Sequence, residues 1–291
     1  MRVPSFAVVG LPRAGKTSVV KALGGALPAS ARQDRPALSS TPWPDPVLAD
    51  LARTEGSAKT TPIRFEVWDL PGLGGEFPAA CLECLQGAEG LLGVVPVARL
   101  SATDEARAAV RVLQAEIRLM DLAYLETRLA NLEADRKKAR RDPEGHARSA
   151  RALQACRAAL EAGGDRPLDA LPEEERRALV GEGLLSGKPF AAVGNLREEG
   201  MAAGIEGWDG PAVRFPALPE AEILDLPEEE RPAYREALGR REPAAPAAWP
   251  VLHVALGRIR FFTIGDTEAR AWSLRAGASA LPDGYAVLGH N

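Results

Sequence analysis

Cysteine, histidine and methionine are scarce in this chain, three of each in 291 residues. Cys81, Cys84 and Cys156 are an odd count without a framework spacing, which argues against a disulfide-stapled secreted scaffold and for a reducing compartment. Cys81 and Cys84 have the C-x-x-C spacing of zinc and redox sites, but no second Cys/His pair exists to complete a zinc sphere. They read as small core hydrophobes. His146, His253 and His290 lie far apart, none beside a catalytic partner. Excess positive charge is missing too: the net charge of −4 gives no global attraction to DNA or to an acidic membrane, so any such binding would need a local basic patch. No apolar run reaches the ~20 residues that span a bilayer. The start, Met1-Arg2-Val3-Pro4-Ser5, leads into a strand without a secretory pattern. The expectation is a cytoplasmic protein, monomeric, with neither membrane nor DNA as partner.

What is present is an ordinary globular composition, 46% apolar and 26% charged, with length for about two domains. Phe6 to Val9 is a short β-branched run ending at a glycine, and a helical pattern follows from Lys16 to Leu23. Residues 24–62 read as a loop region interrupted by a helix near Val47 to Arg53. Further strands are expected at Ile63 to Trp68, Leu91 to Val97 and Ala191 to Val193, with Val213 to Phe215 as an edge. Strands alternating with helices argue for a mostly parallel α/β sheet. From about Thr103 to Ala162 apolar residues recur at helical spacing amid Glu, Arg and Lys, with a break near Asp142-Pro143-Glu144-Gly145. This predicts an inserted helical hairpin. After the Pro/Ala-rich segment Glu242 to Ala248, another helix-like stretch and two short strands, Arg260 to Thr263 and Ala269 to Leu274, read as a separate small module. Trp43, Trp68, Trp208, Trp249 and Trp272 are scattered, and read as packing residues.

Gly10-Leu11-Pro12-Arg13-Ala14-Gly15-Lys16-Thr17 fits G-x-x-x-x-G-K-[ST] at every fixed position. Glycines let backbone N–H groups converge on phosphate oxygens where a side chain would obstruct. Lys16, the expected catalytic residue, should reach the β- and γ-phosphates, and the Thr17 hydroxyl should ligate Mg²⁺. Gly10, Arg13, Ala14, Gly15 and Ser18 are expected along the nucleotide. Asp69-Leu70-Pro71-Gly72 follows a predicted strand; Asp69 there would hold Mg²⁺ through water, and the Gly72 N–H could approach the γ-phosphate. Asn195-Leu196-Arg197-Glu198 stands where switch GTPases read the base with N-K-x-D. A glutamate in the last position does not fit guanine's paired donors, which tilts the choice toward adenine. Asn195, Leu196 and Glu198 are the expected base-side residues.

Taken in order, these motifs resemble the YchF/Obg-like ATPase family. Val8-Val9-Gly10-Leu11-Pro12 with Gly15-Lys16 is similar to the family's V-G-L-P-N-V-G-K-S, and Pro42-Trp43-Pro44-Asp45-Pro46 with Leu48 to its V-P-V-P-D-P-R-L. Glu116 through Asp121, Leu125, Glu126, Arg128 and Leu129 resembles the coiled-coil arm. Lys188-Pro189 leading to Asn195 and Glu198 resembles K-P-V-x-x-x-x-N-x-x-E. Glu220, Glu222 and Glu228-Glu229-Glu230 match a later acidic stretch, and Phe262-Thr263 with Arg270-Ala271-Trp272 resembles the opening of a TGS module. The resemblance implies a Ras-like P-loop NTPase with an inserted α-helical coiled-coil hairpin and a small, incomplete TGS-like α+β module. It implies domain bounds of 1–100 and 187–240 for the G domain, 101–186 for the arm and 241–291 for the TGS-like part. It also implies ATP and Mg²⁺ as ligands, GTP being the alternative, and association with the ribosome. Arg136-Lys137-Lys138 with Arg140-Arg141 could there touch ribosomal RNA phosphates.

Three departures stand out. The family's switch I threonine falls near Gln33, switch II after Gly72 shortens to Leu73-Gly74-Gly75, and the chain stops at His290-Asn291, before a TGS fold would end. The first two remove parts that position water and the γ-phosphate, so binding should survive better than hydrolysis. The expectations are a slow Mg²⁺-dependent ATPase or, alternatively, a hydrolysis-deficient nucleotide-binding adaptor or a GTPase of the same class.

Overall fold

The computed structural model describes residues 3–28, 35–74, 77–135, 140–163, 167–239 and 243–278. Gln33, Gly75, Arg136, Lys137, Lys138, Glu242, His290 and Asn291, all singled out above, lie outside them.

Strands β1 (Ser5–Val9), β4 (Arg64–Asp69), β5 (Gly90–Val97), β6 (Phe190–Leu196) and β8 (Trp208–Phe215) form a parallel core. Antiparallel edges flank it: β2 (Ala37–Pro42) on β4 and β7 (Ala202–Ile205) on β8. The order is β2-β4-β1-β5-β6-β8-β7. The strands depart from the sequence expectation, which also lacked β7. Val213 to Phe215 belongs to β8, an inner strand, because β7 covers it. Residues 37–42 form a strand within the expected loop. Ala-Leu-Ser-Ser-Thr-Pro has no apolar alternation to announce it; Ser39 and Thr41 face inward, their hydroxyls 3.2 Å apart.

Period-2 alternation feeds two cores. Phe6, Val8, Phe65, Val67, Leu92 and Val94 face one side, against helix α1 (Lys16–Ala22) and helix α2 (Pro46–Glu55). Ala7, Val9, Leu91, Val95 and Val97 face the other, against α3 (Ala79–Gly87) and the first turns of α4 (Thr103–Ala134). Cys81 is wholly buried in this second core.

Helix α4 runs 32 residues, about 48 Å at the helical rise. It leaves the sheet domain and packs Leu125, Leu129 and Leu132 against Leu153, Cys156 and Leu160 of α5 (Pro143–Ala162). The break falls where the sequence places it: Asp142 caps α5, accepting from the Gly145 N–H at 2.9 Å, with Pro143 in the first turn. After α5 and the short α6 (Glu173–Ala178), Asp121 anchors the arm's base. Its carboxylate accepts from the backbone N–H groups of Leu185 and Ser186, at 2.9 and 2.7 Å.

Helices α7 (Ala217–Asp225) and α8 (Arg231–Ala237) follow β8, clasped by a buried ion pair of Arg235 with Glu220 at 2.8 Å. Strands β9 (Arg258–Thr263) and β10 (Ala269–Arg275) pair antiparallel, and the two-residue β3 (Thr60–Thr61) adds to β10. The preceding helix α9 (Ala244–Ala255), grouped with this module in the sequence reading, packs into the first sheet core. Trp249 lies fully buried there, stacked on Phe65 at 4.1 Å between ring centres. Arg260 joins the small sheet to the larger domain: it pairs with Asp45 at 2.6 Å and lies over the Trp43 ring.

Candidate nucleotide site

The parallel strands end at a common edge, where ligands bind in open α/β sheets. β1 sits at the switch of strand order, with β4 on one side and β5 on the other. The loop between β1 and α1 therefore opens over this edge. Gly15 takes φ 89° as the N-cap of α1, a conformation glycine adopts without penalty. A Cβ there would stand 2.2 Å from the Asn195 amide nitrogen, so packing demands glycine as well. At Gly10 a Cβ would meet the Val94 carbonyl oxygen at 2.7 Å.

Long-range hydrogen bonds hold the loop at both ends. On one side Asn195 donates from Nδ2 to the Ala14 carbonyl (3.0 Å), while its Oδ1 accepts from the Ala217 N–H (3.1 Å). On the other side the Leu73 N–H donates to the Gly10 carbonyl at 3.0 Å. Gly72 rests so close to the P-loop that a Cβ would lie 2.7 Å from the Pro12 nitrogen. The glycine of the D-x-x-G segment is thus required by contact with the first motif.

Asp69, at the end of β4, accepts from the Thr17 hydroxyl at 2.6 Å through Oδ2. Its Oδ1 is buried with no hydrogen-bond partner. Burial pushes the Asp69 carboxyl above the usual carboxylate range, against the Thr17 hydrogen bond and the Lys16 charge, which pull it down. Lys16 is buried too; desolvation lowers its pKa, partly opposed by Asp69. Its Nζ stands 3.5 Å from the Leu11 carbonyl. A desolvated carboxylate with an orphaned oxygen beside a hydroxyl is the donor set a hard, oxygen-seeking cation takes. These residues fit Mg²⁺ held by Thr17 and Asp69. Among the described residues no cluster of three or more His, Cys, Asp or Glu offers another metal site.

A cavity of about 420 Å³ opens here, lined by Arg13, Lys16, Thr17 and Asp69 together with Arg35 and Gly72. Ser18 follows in the first turn of α1, half-buried, and Ala14 is buried. The expected base-side residues divide. Asn195 stands against the loop, Glu198 is exposed and accepts from the Leu100 N–H at 2.8 Å, and Leu196 turns its side chain into the core on the arm's side of the sheet. Leu196 thus has only backbone to offer a ligand. The sequence reading missed Arg35, which sits in no motif, and the Ala217 N–H, a backbone group that no residue type announces.

No family model matches the chain. Curated proteins do. It is 28% identical over 305 residues to the ribosome-binding ATPase YchF of Escherichia coli O157:H7, covering 94% of this chain and 81% of that one. It is 26% identical over 314 residues to the protein of the same name from Haemophilus ducreyi, covering 97% and 83%. Among solved structures the Schizosaccharomyces pombe YchF GTPase matches with a TM-score of 0.67 at 16% identity, over 96% of this chain and 82% of that one. That likeness carries the fold, a mostly parallel sheet of the P-loop NTPase kind.

Proposed function

We propose that this chain, which belongs to the YchF/Obg-like ATPase family, binds ATP with Mg²⁺ at the P-loop cavity, hydrolyses it slowly and associates with the ribosome through its helical arm. The observation that carries the nucleotide part is the pairing of Thr17 with Asp69, Asp69 Oδ1 being left buried and unpartnered beside Lys16. Mg²⁺, when bound, would offset phosphate charge. Thr17 and Asp69 would hold it, and Lys16 would neutralise charge growing between the β- and γ-phosphates. Asn195 would shape the loop from the base side. Glu198, in place of the aspartate that suits guanine, supports adenine, as do relatives named ATPases.

Among the described residues lining the cavity no histidine, glutamine or carboxylate other than Asp69 is available as a base toward water, and Asp69 accepts from Thr17 and would hold the cation. That supports a slow rate, set by positioning and charge. Ribosome association rests on the relatives' names and on the arm, whose Arg140 and Arg141 are exposed near its tip. Among the described residues no helix is long and apolar enough to cross a membrane.

Calorimetric titration with ATP and with GTP, both with Mg²⁺, tests the reading. Tight ATP binding, weak GTP binding and no binding to the Lys16→Ala variant are expected. Equal nucleotide affinity in that variant and the wild type would overturn the site.

A further inference from the structure

Arg13 is the one non-glycine residue with positive φ, 65°, among those described. That left-handed conformation suits glycine or asparagine far better than a long side chain, and strain of this kind persists where the surroundings enforce it. The motif that this loop resembles carries asparagine at the same place. Arg13 is exposed and lines the phosphate cavity, and Arg35 lines it too, immediately before β2. Neither guanidinium has a hydrogen-bond or ion-pair partner among the described residues. Among the described lining residues they make, with Lys16, three cations against one carboxylate, Asp69, in a chain whose net charge is −4.

Position along the loop decides what Arg13 faces. Asn195 holds Ala14 on one side, while Pro12 touches Gly72 of the D-x-x-G segment on the other, the side at which the γ-phosphate would lie. Arg13 stands beside that second contact. Because its backbone is pinned on both sides, its side chain leaves from a fixed point at the mouth of the cavity.

We propose that Arg13 is a catalytic residue which places its guanidinium on the γ-phosphoryl group, supplying from within the same chain the positive charge that the reaction needs, with Arg35 a second cation of the same cavity. This rests on the reading of the cavity as a nucleoside-triphosphate site. In the step concerned, a water oxygen bonds to the γ-phosphorus as its bond to the β,γ-bridging oxygen breaks. That bond's electron pair stays on the bridging oxygen of the departing diphosphate, and the proton released by the water passes through the phosphate product to solvent. Negative charge rises on the bridging and γ-oxygens, where a forked donor of fixed charge is worth most. With no base but Asp69 among the described lining residues, such charge is the catalytic resource they offer.

The test uses the full chain and its Arg13→Asn, Arg13→Lys and Arg35→Ala variants. Asparagine tolerates the left-handed backbone, so Arg13→Asn should melt no lower than the wild type and separates function from folding. Three quantities are read: ATP affinity by calorimetry, affinity for ADP with aluminium fluoride, and the single-turnover rate. Arg13→Asn should keep ATP affinity within about threefold, lose roughly a hundredfold or more in rate, and lose comparably in ADP–aluminium fluoride affinity. Arg13→Lys should recover part of both losses and Arg35→Ala should show a smaller loss. An unchanged rate and unchanged ADP–aluminium fluoride affinity in Arg13→Asn would overturn the proposal. So would a wild type that binds ATP yet neither turns it over nor binds the fluoride complex, although the nucleotide site would then stand. A wild type that binds no nucleotide would overturn both.

Discussion

Asn195 donates an amide hydrogen to the carbonyl of Ala14 at 3.0 Å, closing a gap of 181 residues in sequence. Through its other end it also receives the N–H of Ala217, so one side chain fixes the P-loop, the end of β6 and the entry to α7. Asn195→Ala should leave that carbonyl and that N–H without partners and loosen the loop. We expect roughly a tenfold loss of ATP affinity and about 1–2 kcal/mol of stability. Asn195→Asp should fare no better, since a carboxylate cannot donate to Ala14. Calorimetry with ATP checks this, and full affinity in both variants would show the tie to be incidental.

Asp69 is held ionisable against its surroundings. Its folded pKa is raised, chiefly by burial, so its charge disfavours the nucleotide-free fold above that pKa. Asp69→Asn keeps the shape and an oxygen for Thr17 while removing the charge. The nucleotide-free variant should therefore melt higher than wild type at neutral pH. Its ATP affinity should no longer respond to Mg²⁺, measured with and without a chelator. A variant whose Mg²⁺ dependence equals the wild type's would mean that the cation is held elsewhere.

The proposed base preference is best tested at Glu198. Leu196 is 4% exposed, so a lysine in its place would put an ammonium into the core and confound any test with the fold. Glu198→Asp shortens the carboxylate without touching the core. The ratio of GTP to ATP affinity should rise by roughly tenfold, the order of one charged hydrogen bond. If titrations with the two nucleotides give an unchanged ratio, Glu198 does not read the base.

His253 should make the fold acid-sensitive. It is 2% exposed, hydrogen-bonded to the Ser273 hydroxyl at 2.8 Å, and burial, with the nearby Arg258 and Arg260 charges, pushes its pKa down to about 4. The neutral form is the folded one. Its contribution is complete above the unfolded value near 6.5 and declines as pH falls toward 4, by about 3 kcal/mol in all. His253→Gln keeps a polar partner for Ser273 but cannot take the proton. Thermal melts between pH 7 and 4.5 should fall less steeply for that variant; parallel curves would place the acid sensitivity in other groups.

Much of this was legible in the order of residues. A P-loop is a local object: strand, turn and helix follow one another in twenty residues, and Gly10, Gly15, Lys16 and Thr17 occupy it because backbone angles and phosphate chemistry leave few alternatives. The arm was equally readable, since helical periodicity, Asp142 and Pro143 act within a turn or two of themselves. Strands β2 and β7 were not, because Ala-Leu-Ser-Ser-Thr-Pro and Ala-Ala-Gly-Ile become strands only by pairing with β4 and β8. The partners of Asp69 and Asn195, the entry of Arg35 into the phosphate cavity, the turning of Leu196 into the core and the docking of α9 onto the sheet depend on contacts between segments far apart in the chain. Such contacts have no signature in any single segment, so the sequence alone determined which chemistry the loop can hold, and the tertiary structure decided which side chains surround it.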